Sequence, residues 1–353
     1  MMKLQTPVTD EKCKVGISYN DKIMMLGSCF SDNIGRQLLD YGFDVCVNPF
    51  GTLYNPVSVL NSIERLAYEV HFQHHEASLS QHNDSELLLH QERELLQNHE
   101  AEIWFREKDC VQIGAGDERW CSFSHHTSFA RQDKDEFLAH ANAALKEARE
   151  FFSSCNKIII TLGTSWCFHH VESGRIVSNC LKHPASEFVR ERLSASEITS
   201  ALRRIAELCR TFDGTGCTCA NNSCDNAVIS AESIKPKQII LTVSPIRHFK
   251  DGAHGNQISK SALLLGIDDF LCGCPVDLSI DSHYTADYFP AYEIVMDELR
   301  DYRFYAEDMC HPSAQTVGYI RDRFLDWALP PSERQVLEEN IRNFKRRNHV
   351  TIR

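Results

Sequence analysis

Near opposite ends of the chain are a hydroxyl residue and a carboxylate–imidazole pair that could act together on an acyl group. Ser28 follows the apolar run KIMMLG and precedes a helical pattern. It can therefore be a nucleophile at the end of a strand or the N-cap of the helix, and the local pattern favours the cap. Asp308 and His311 lie in DMCH. A serine hydroxyl becomes nucleophilic when an imidazole takes its proton, and a carboxylate fixes the tautomer of that imidazole.

The spacing of Asp308 and His311 predicts a hydrogen bond between their side chains. The carboxylate, three residues before the imidazole, can accept from Nδ1 and leave Nε2 free toward Ser28. Pro312 favours an extended backbone at His311, which gives the ring a defined direction. The same pair can instead simply begin the last helix, since Asp is common at helix starts.

Backbone amides near Ser28 are candidate donors for the oxyanion that acyl transfer creates. The amide of Ser28, at a helix N-terminus, is one, and the amide of Gly51 in NPFG is another. Gly51 also fits an ordinary turn. Cys29, next in the chain to Ser28, is a second possible nucleophile if its thiol is not simply packed.

Short apolar runs alternate with helical patterns, which predicts a parallel sheet covered by helices on both faces. The predicted strands are 22–28, 43–51, 156–166, 237–248 and 302–308, and helices are predicted at about 134–153, 194–211 and 288–300. Ligands bind such sheets at the carboxyl ends of the strands. Ser28, Gly51, His248 and the Asp308–His311 pair are therefore expected to face one cleft.

The predicted organisation is one domain over residues 1–330 with insertions at about 68–130 and 211–236. A C-terminal helix and basic tail follow at 331–353. The insertions are polar or rich in turn residues, unlike the periodic segments around them.

Composition limits the functional classes. A net charge of −12 over 353 residues argues against broad nucleic-acid binding, which requires basic side chains on phosphates. No apolar run is long enough to span a membrane. The first residues lack the apolar core of a signal peptide, and the 15 cysteines are interpreted as mostly reduced thiols, so a cytoplasmic location is expected. The oligomeric state is left open.

Clustered cysteines and histidines give a weak metal signal. CTCANNSC contains Cys217, Cys219 and Cys224, and CGC contains Cys272 and Cys274. HFQHH at 71–75 contains three histidines, which at helical spacing on a polar face are usually solvated. Neither cysteine cluster has the CxxC…CxxC spacing of a zinc site, so no metal and no cofactor are predicted.

Polar residues on predicted loops are candidate substrate ligands. The segment SPIRHFKDGAHGNQISKS places five basic or imidazole side chains after the fourth strand: Arg247, His248, Lys250, His254 and Lys260. This loop can be an anion- or sugar-binding rim or a solvated, salt-bridged loop.

Two further candidates lie elsewhere in the chain. Asn179 in SNCLKHP can bind substrate or shape a turn, and His126 in FSHHTSF, with its neighbour His125, can line the cleft or pack in the core.

Several blocks of the chain resemble those of the GSCFA family, a bacterial group placed in the SGNH-hydrolase superfamily. They are LGSCFSDNIG, NPFGTLYNP, TLGTSW, SPIRHFKDGAHGNQISKS and YFPAYEIVMDELRDYRFYAEDMCHPS, between about residues 20 and 315. The resemblance implies a flavodoxin-like three-layer α/β/α sandwich with a five-stranded parallel sheet. It also implies Ser28 as nucleophile, Gly51 as an oxyanion glycine, and Asp308 and His311 as the DxxH block.

The third block departs from the superfamily pattern Gly-x-Asn-Asp. In GTSW, Ser165 occupies the Asn position and Trp166 the Asp position. Either Ser165 is a weaker oxyanion donor, or Arg247 or His248 replaces it. The resulting prediction is a serine-dependent hydrolase of an O-acyl or O-acetyl ester on a carbohydrate-like or small-molecule substrate. An acyltransferase with the same triad, and a non-catalytic ligand- or metal-binding module, are the alternatives.

Overall fold

The structure, a computed structural model, describes residues 6–9, 13–79, 104–212, 234–272 and 285–350. Its strands are β1 (Lys22–Gly27), β2 (Asp44–Val47), β3 (Val111–Gln112), β4 (Trp120–Cys121), β5 (Lys157–Leu162), β6 (Trp166–His170), β7 (Ile176–Val177), β8 (Phe188–Arg192), β9 (Arg210–Phe212), β10 (Ile234–Pro236), β11 (Gln238–Val243) and β12 (Ala286–Phe289). Its α-helices are α1 (Cys29–Asp40), α2 (Pro56–Leu79), α3 (Lys134–Ser154), α4 (Ala195–Leu208), α5 (Gly252–Cys272), α6 (Ala291–Glu293), α7 (Ala314–Ala328) and α8 (Arg334–Val350).

A five-stranded parallel sheet in the order β12-β11-β5-β1-β2 forms the centre of the molecule. Its strands are apolar on both sides because helices cover both faces. On β1, for example, Met24 and Leu26 pack in one core, and Ile23 and Met25 pack in the other.

Helices divide between the two faces of the sheet. Buried side chains of α2, α3, α4 and α5 form one core with the sheet, and those of α1 and α7 form the other. The result is a three-layer α/β/α sandwich, which confirms the predicted fold class.

The predicted identity of the fifth strand is wrong. Residues 302–308 were expected to be a strand, but Tyr302–Phe304 is a 3₁₀ turn whose preceding residue, Asp301, accepts a hydrogen bond from the Arg303 amide. The fifth strand is β12, whose last two residues overlap the segment expected to be helical from 288 to 300. Only Ala291–Glu293 is α-helical there, and Ile294–Leu299 continues as a π-helix.

The predicted insertions lie only partly within the described residues. In the first, β3 pairs with β4, and outside both insertions β6 pairs with β7 and β8 in a small antiparallel sheet. Residues 80–103 and 213–233 lie outside the described residues, so the domain limits stay a prediction. In the part of the chain that the structure describes, no helix has the length and apolar character needed to cross a membrane.

Candidate active site

Ser28 lies at the carboxyl end of β1, where the sequence analysis placed it. Its side chain is buried, and its Oγ accepts a hydrogen bond from the amide of Phe30 at 3.3 Å. Its own amide donates to the carbonyl of Thr161 on β5 at 3.1 Å. The helix-cap prediction is therefore confirmed, and a cap of this kind also fixes the serine at the edge of the sheet.

The turn before Ser28 requires glycine. Gly27 has a φ of +134°, and a Cβ there would lie 2.1 Å from the Thr161 carbonyl oxygen. The Gly27 amide donates to Oδ1 of Asn48 at 2.8 Å, and Nδ2 of Asn48 donates to Asp32 at 2.6 Å. Asn48, at the end of β2, thus holds the backbone that carries Ser28.

Asp308 and His311 are paired as their spacing predicts. Nδ1 of His311 and Oδ2 of Asp308 are 2.6 Å apart, and both side chains are about half exposed. Oδ1 of Asp308 accepts from the amides of Cys310 and His311, each at 2.9 Å. The backbone and side-chain hydrogen bonds from His311, with the Cys310 amide, lower the pKa of Asp308 to about 2. The carboxylate is therefore charged at neutral pH and orients the ring.

The loop that carries this pair is bonded to the segment after β11. The amide of Arg247 donates to the Cys310 carbonyl at 3.1 Å, and the Cys310 thiol donates to the Arg247 carbonyl at 2.6 Å. Nη1 of Arg247 also donates to the Met309 carbonyl at 3.2 Å. These bonds attach the Asp308–His311 loop to the carboxyl edge of the sheet.

His248 is close to residues on both sides of the candidate triad. Its ring centre lies 6.3 Å from that of Tyr54, whose carbonyl accepts from the Gly163 amide, and the charge of His311 contributes to the lowered pKa of His248. A Cβ built on Gly163 would lie 3.5 Å from Cβ of Ser28. Ser28 and His311 therefore border the same region. Within the described residues, no hydrogen bond joins the Ser28 hydroxyl to His311.

The predicted oxyanion donors already make hydrogen bonds within the protein. The Gly51 amide donates to the Asn48 carbonyl at 2.7 Å in a turn with φ of +77° at Gly51, and the Ser28 amide is bonded to β5. The buried hydroxyl of Ser165 donates to Oγ of Ser259 on α5 at 3.1 Å. An oxyanion would have to compete with these partners, and the donor role of all three residues stays a prediction.

Tyr54 is a site residue that the sequence analysis missed. Its hydroxyl is 3.4 Å from Sγ of Cys29, and burial, followed by the proximity of that thiol, raises the tyrosine pKa. Its carbonyl accepts from the amides of Gly163 and Thr164 at 2.8 and 2.9 Å. Tyr54 therefore links the loops after β2 and β5. The sequence signal for it was its place in NPFGTLYNP, three residues after Gly51.

The sequence analysis placed Lys260 on an exposed loop, as part of a binding rim or a solvated segment. This prediction is wrong. Lys260 lies on α5 and is fully buried, with Nζ donating to the carbonyls of Gly163 at 2.5 Å and Ser244 at 2.7 Å. Burial lowers its pKa to about 7. The segment after β11 becomes helical at residue 252, and this turns Lys260 under the ends of β5 and β11.

His248 is the part of this segment that borders the candidate cleft. Its amide donates to Oδ1 of Asn256 at 3.0 Å, and its Nε2 is buried without a partner among the described residues. Burial, and then the charge of Lys260, lowers its pKa to about 4, so the ring is neutral at pH 7. A buried polar atom without a partner is uncommon and marks a position that a ligand can satisfy.

The remaining candidates divide between the cleft region and other roles. His126 packs against Gly51, with its Cβ 2.4 Å from where a Gly51 Cβ would lie. His125 is buried among aromatic rings, and burial lowers its pKa to about 3. His254 is exposed on α5. Oδ1 of Asn179 accepts from the Leu181 amide at 2.8 Å, which supports its turn role.

Metal ligation was not predicted, and most cysteines of the two clusters cannot be compared with that prediction. Cys217, Cys219, Cys224 and Cys274 lie outside the described residues. Elsewhere, in the parts of the chain that are described, no three His, Cys, Asp or Glu side chains are grouped as a metal site.

Comparison with known proteins gives a family for the chain. No curated protein and no solved structure matches it. The model of the GSCFA family matches residues 22–218 and 215–324, a span that includes every strand of the central sheet and both parts of the candidate site. The chain is a member of the GSCFA family.

Proposed function

We propose that this protein is a serine-dependent ester hydrolase of the SGNH type. Ser28 is the nucleophile, His311 the general base and acid, and Asp308 the residue that orients His311. The substrate is an O-acyl or O-acetyl ester of a carbohydrate-like or small-molecule alcohol. The fold is compatible with this assignment, because ligands of parallel α/β sheets bind at the carboxyl ends of the strands.

The hydrogen bond between Asp308 and His311 carries the proposal. A carboxylate with a lowered pKa holds Nδ1 of the ring at 2.6 Å. This contact places the ring proton on Nδ1, so Nε2 is the basic nitrogen. The alternative that this pair simply begins the last helix is wrong, because α7 begins at Ala314 with Ser313 as its N-cap, and the pair lies in the turn before it.

The chemistry then follows in two balanced steps. Oγ of Ser28 attacks the ester carbonyl carbon while its proton passes to Nε2 of His311, and the alcohol leaves with that proton. Water next attacks the acyl-serine and gives a proton to His311, which returns it to Ser28 as the carboxylic acid departs. In this proposal the Ser28–His311 hydrogen bond forms with substrate present, as catalytic hydrogen bonds often do.

The oxyanion donors in this proposal come from two sources. Substrate binding can displace the bonds that the Ser28 and Gly51 amides make to backbone carbonyls. The neutral ring of His248, with its unpartnered Nε2, can take the place of the missing Asn of the superfamily. One good donor of this kind is worth about 3 kcal/mol in the transition state.

Hydrolysis of aryl acetates by variants tests the assignment. Ser28→Ala and His311→Ala should each lower kcat by at least about three decades. Cys29→Ser is the matched control, because it changes the neighbouring side chain and leaves the Ser28 hydroxyl in place. Full activity in both Ser28→Ala and His311→Ala, or loss of activity only in Cys29→Ser, would contradict the proposal.

A further inference from the structure

A cavity of about 380 Å³ lies beside the Asp308–His311 loop and has no role in the proposal so far. Its walls come from the segment after β11, the first turns of α5, and the π-helix with the turn after it. Arg247 and His248 line the cavity. Arg247 is also bonded to the loop of His311, and the ring centre of His248 lies 6.3 Å from that of Tyr54, so the cavity adjoins the candidate catalytic cleft.

Aromatic rings form much of the cavity wall. Tyr292, Tyr302 and Tyr305 line it together with Val295 and Met296. Tyr302 is 65% exposed, so its ring is accessible to a molecule in the cavity. The size and the ring-rich wall are those of a small-molecule site, into which a flat, ring-shaped group fits.

Arg247 supplies a fixed positive charge to this cavity. Its guanidinium lies 4.9 Å from the ring centre of Phe249, 5.5 Å from that of Tyr302 and 5.6 Å from that of Tyr305. The hydrogen bond from Nη1 to the Met309 carbonyl also restricts the position of the guanidinium. Within the described residues it has no carboxylate partner, although the planar guanidinium suits one.

Other charges around the cavity do not offset Arg247. Arg300 pairs with Asp297, and Asp301 pairs with Arg303, so each of these is compensated locally. His248 is neutral at pH 7. The long helix α5 starts with Gly252 and Ala253 in the wall, and its N-terminus adds partial positive charge.

We propose that this cavity binds the alcohol part of the ester substrate, and that this part is a ring carrying an anionic group, such as a carboxylate, which Arg247 contacts. The inference rests on the proposed function for the ester, but ligand binding alone can test it. Arg247 selects the substrate through the anion, and the tyrosines hold the ring.

A pair of isosteric probes isolates the charge. 4-Hydroxybenzoate and 4-hydroxybenzamide, titrated into the Ser28→Ala protein by calorimetry, differ in the carboxylate and not in size. The carboxylate should bind about ten- to a hundredfold more tightly, the range expected for a hydrogen bond to a charged partner. Arg247→Gln in the same background should remove this preference. Lys250→Gln is the matched control, since it removes a neighbouring exposed charge that does not line the cavity.

Turnover of the matching esters separates the two proposals. Wild-type protein should hydrolyse 4-acetoxybenzoate with a kcat/KM about tenfold or more above that of 4-acetoxybenzamide. Hydrolysis of both esters without preference, with equal binding of both phenols, would overturn the cavity assignment and leave the hydrolase standing. Selective binding of 4-hydroxybenzoate by a protein that hydrolyses neither ester would sustain the cavity and overturn the proposed function.

Discussion

Replacing Asp308 with Asn changes the tautomer of His311 without removing the loop's backbone hydrogen bonds. Two amides, those of Cys310 and His311, donate to one oxygen of the Asp308 side chain, and the imidazole bonds to the other. In Asp308→Asn the remaining oxygen stays with the amides, so the new NH₂ group faces Nδ1. The ring must then accept at Nδ1 and carry its proton on Nε2.

A ring protonated on Nε2 cannot take the proton of Ser28. In serine hydrolases this exchange lowers kcat by about four decades at neutral pH, and the same loss is expected here with 4-nitrophenyl acetate. Because the pair is about half exposed, solvent screening makes its effect on unfolding small. Thermal melting should therefore differ little between the variant and the wild type.

The matched control is Asp133→Asn. Asp133 caps α3 by accepting from the amides of Asp135 and Glu136, as Asp308 accepts from its own loop, but no imidazole among the described residues is bonded to it. Its kcat should equal that of the wild type. A kcat for Asp308→Asn within tenfold of the wild type, with wild-type melting, would refute the role given to this carboxylate.

Two further predictions concern the residues that support the site. Lys260 keeps fewer protons in the folded state than in the unfolded state between its folded pKa of about 7 and its ordinary value of 10.5, so its contribution to stability rises with pH across that window. Lys260→Met should therefore exceed the wild type in free energy of unfolding most at pH 7 and below. In urea unfolding, this difference should narrow by at most about 1.4 kcal/mol per pH unit from pH 7 to 9. A difference that stays constant with pH would contradict this. Gly27→Ala should destabilise the fold by roughly 2 kcal/mol or more because of its φ and the clash with Thr161. Gly318 on α7 is the control, because a Cβ there would lie 3.8 Å from the Arg321 side chain. Gly318→Ala should instead stabilise the fold by about 0.5–1 kcal/mol. Equal effects of the two substitutions in chemical denaturation would show that Gly27 is not constrained.

Elements with strong local signals could be predicted from the sequence. The strands β1, β5 and β11 are continuous apolar runs, which a sheet covered on both faces requires. The Asp308–His311 bond was also predictable, since partners three residues apart meet through local backbone geometry. The short β12 was missed because its four residues adjoin a helical pattern, and the tyrosines and phenylalanine of 302–305 imitate a strand.

Contacts between distant elements could not be predicted in the same way. The bond between Ser165 and Ser259, and the bond between Lys260 and Gly163, depend on how α5 packs under the ends of β5 and β11. A charged residue in a polar segment is usually exposed, so the burial of Lys260 had no signal in the sequence. The engagement of the Ser28 and Gly51 amides likewise follows from the exact path of two turns.

Covalent labelling with a fluorophosphonate, followed by peptide mapping, tests the central claim most directly. The tryptic peptide of residues 23–36 holds Ser28, Cys29 and Ser31, and fragmentation assigns the adduct among them. We predict a single adduct on Ser28, formed at least about a thousandfold more slowly in His311→Ala. An adduct on Cys29 or Ser31, or labelling of His311→Ala at the wild-type rate, would contradict the account.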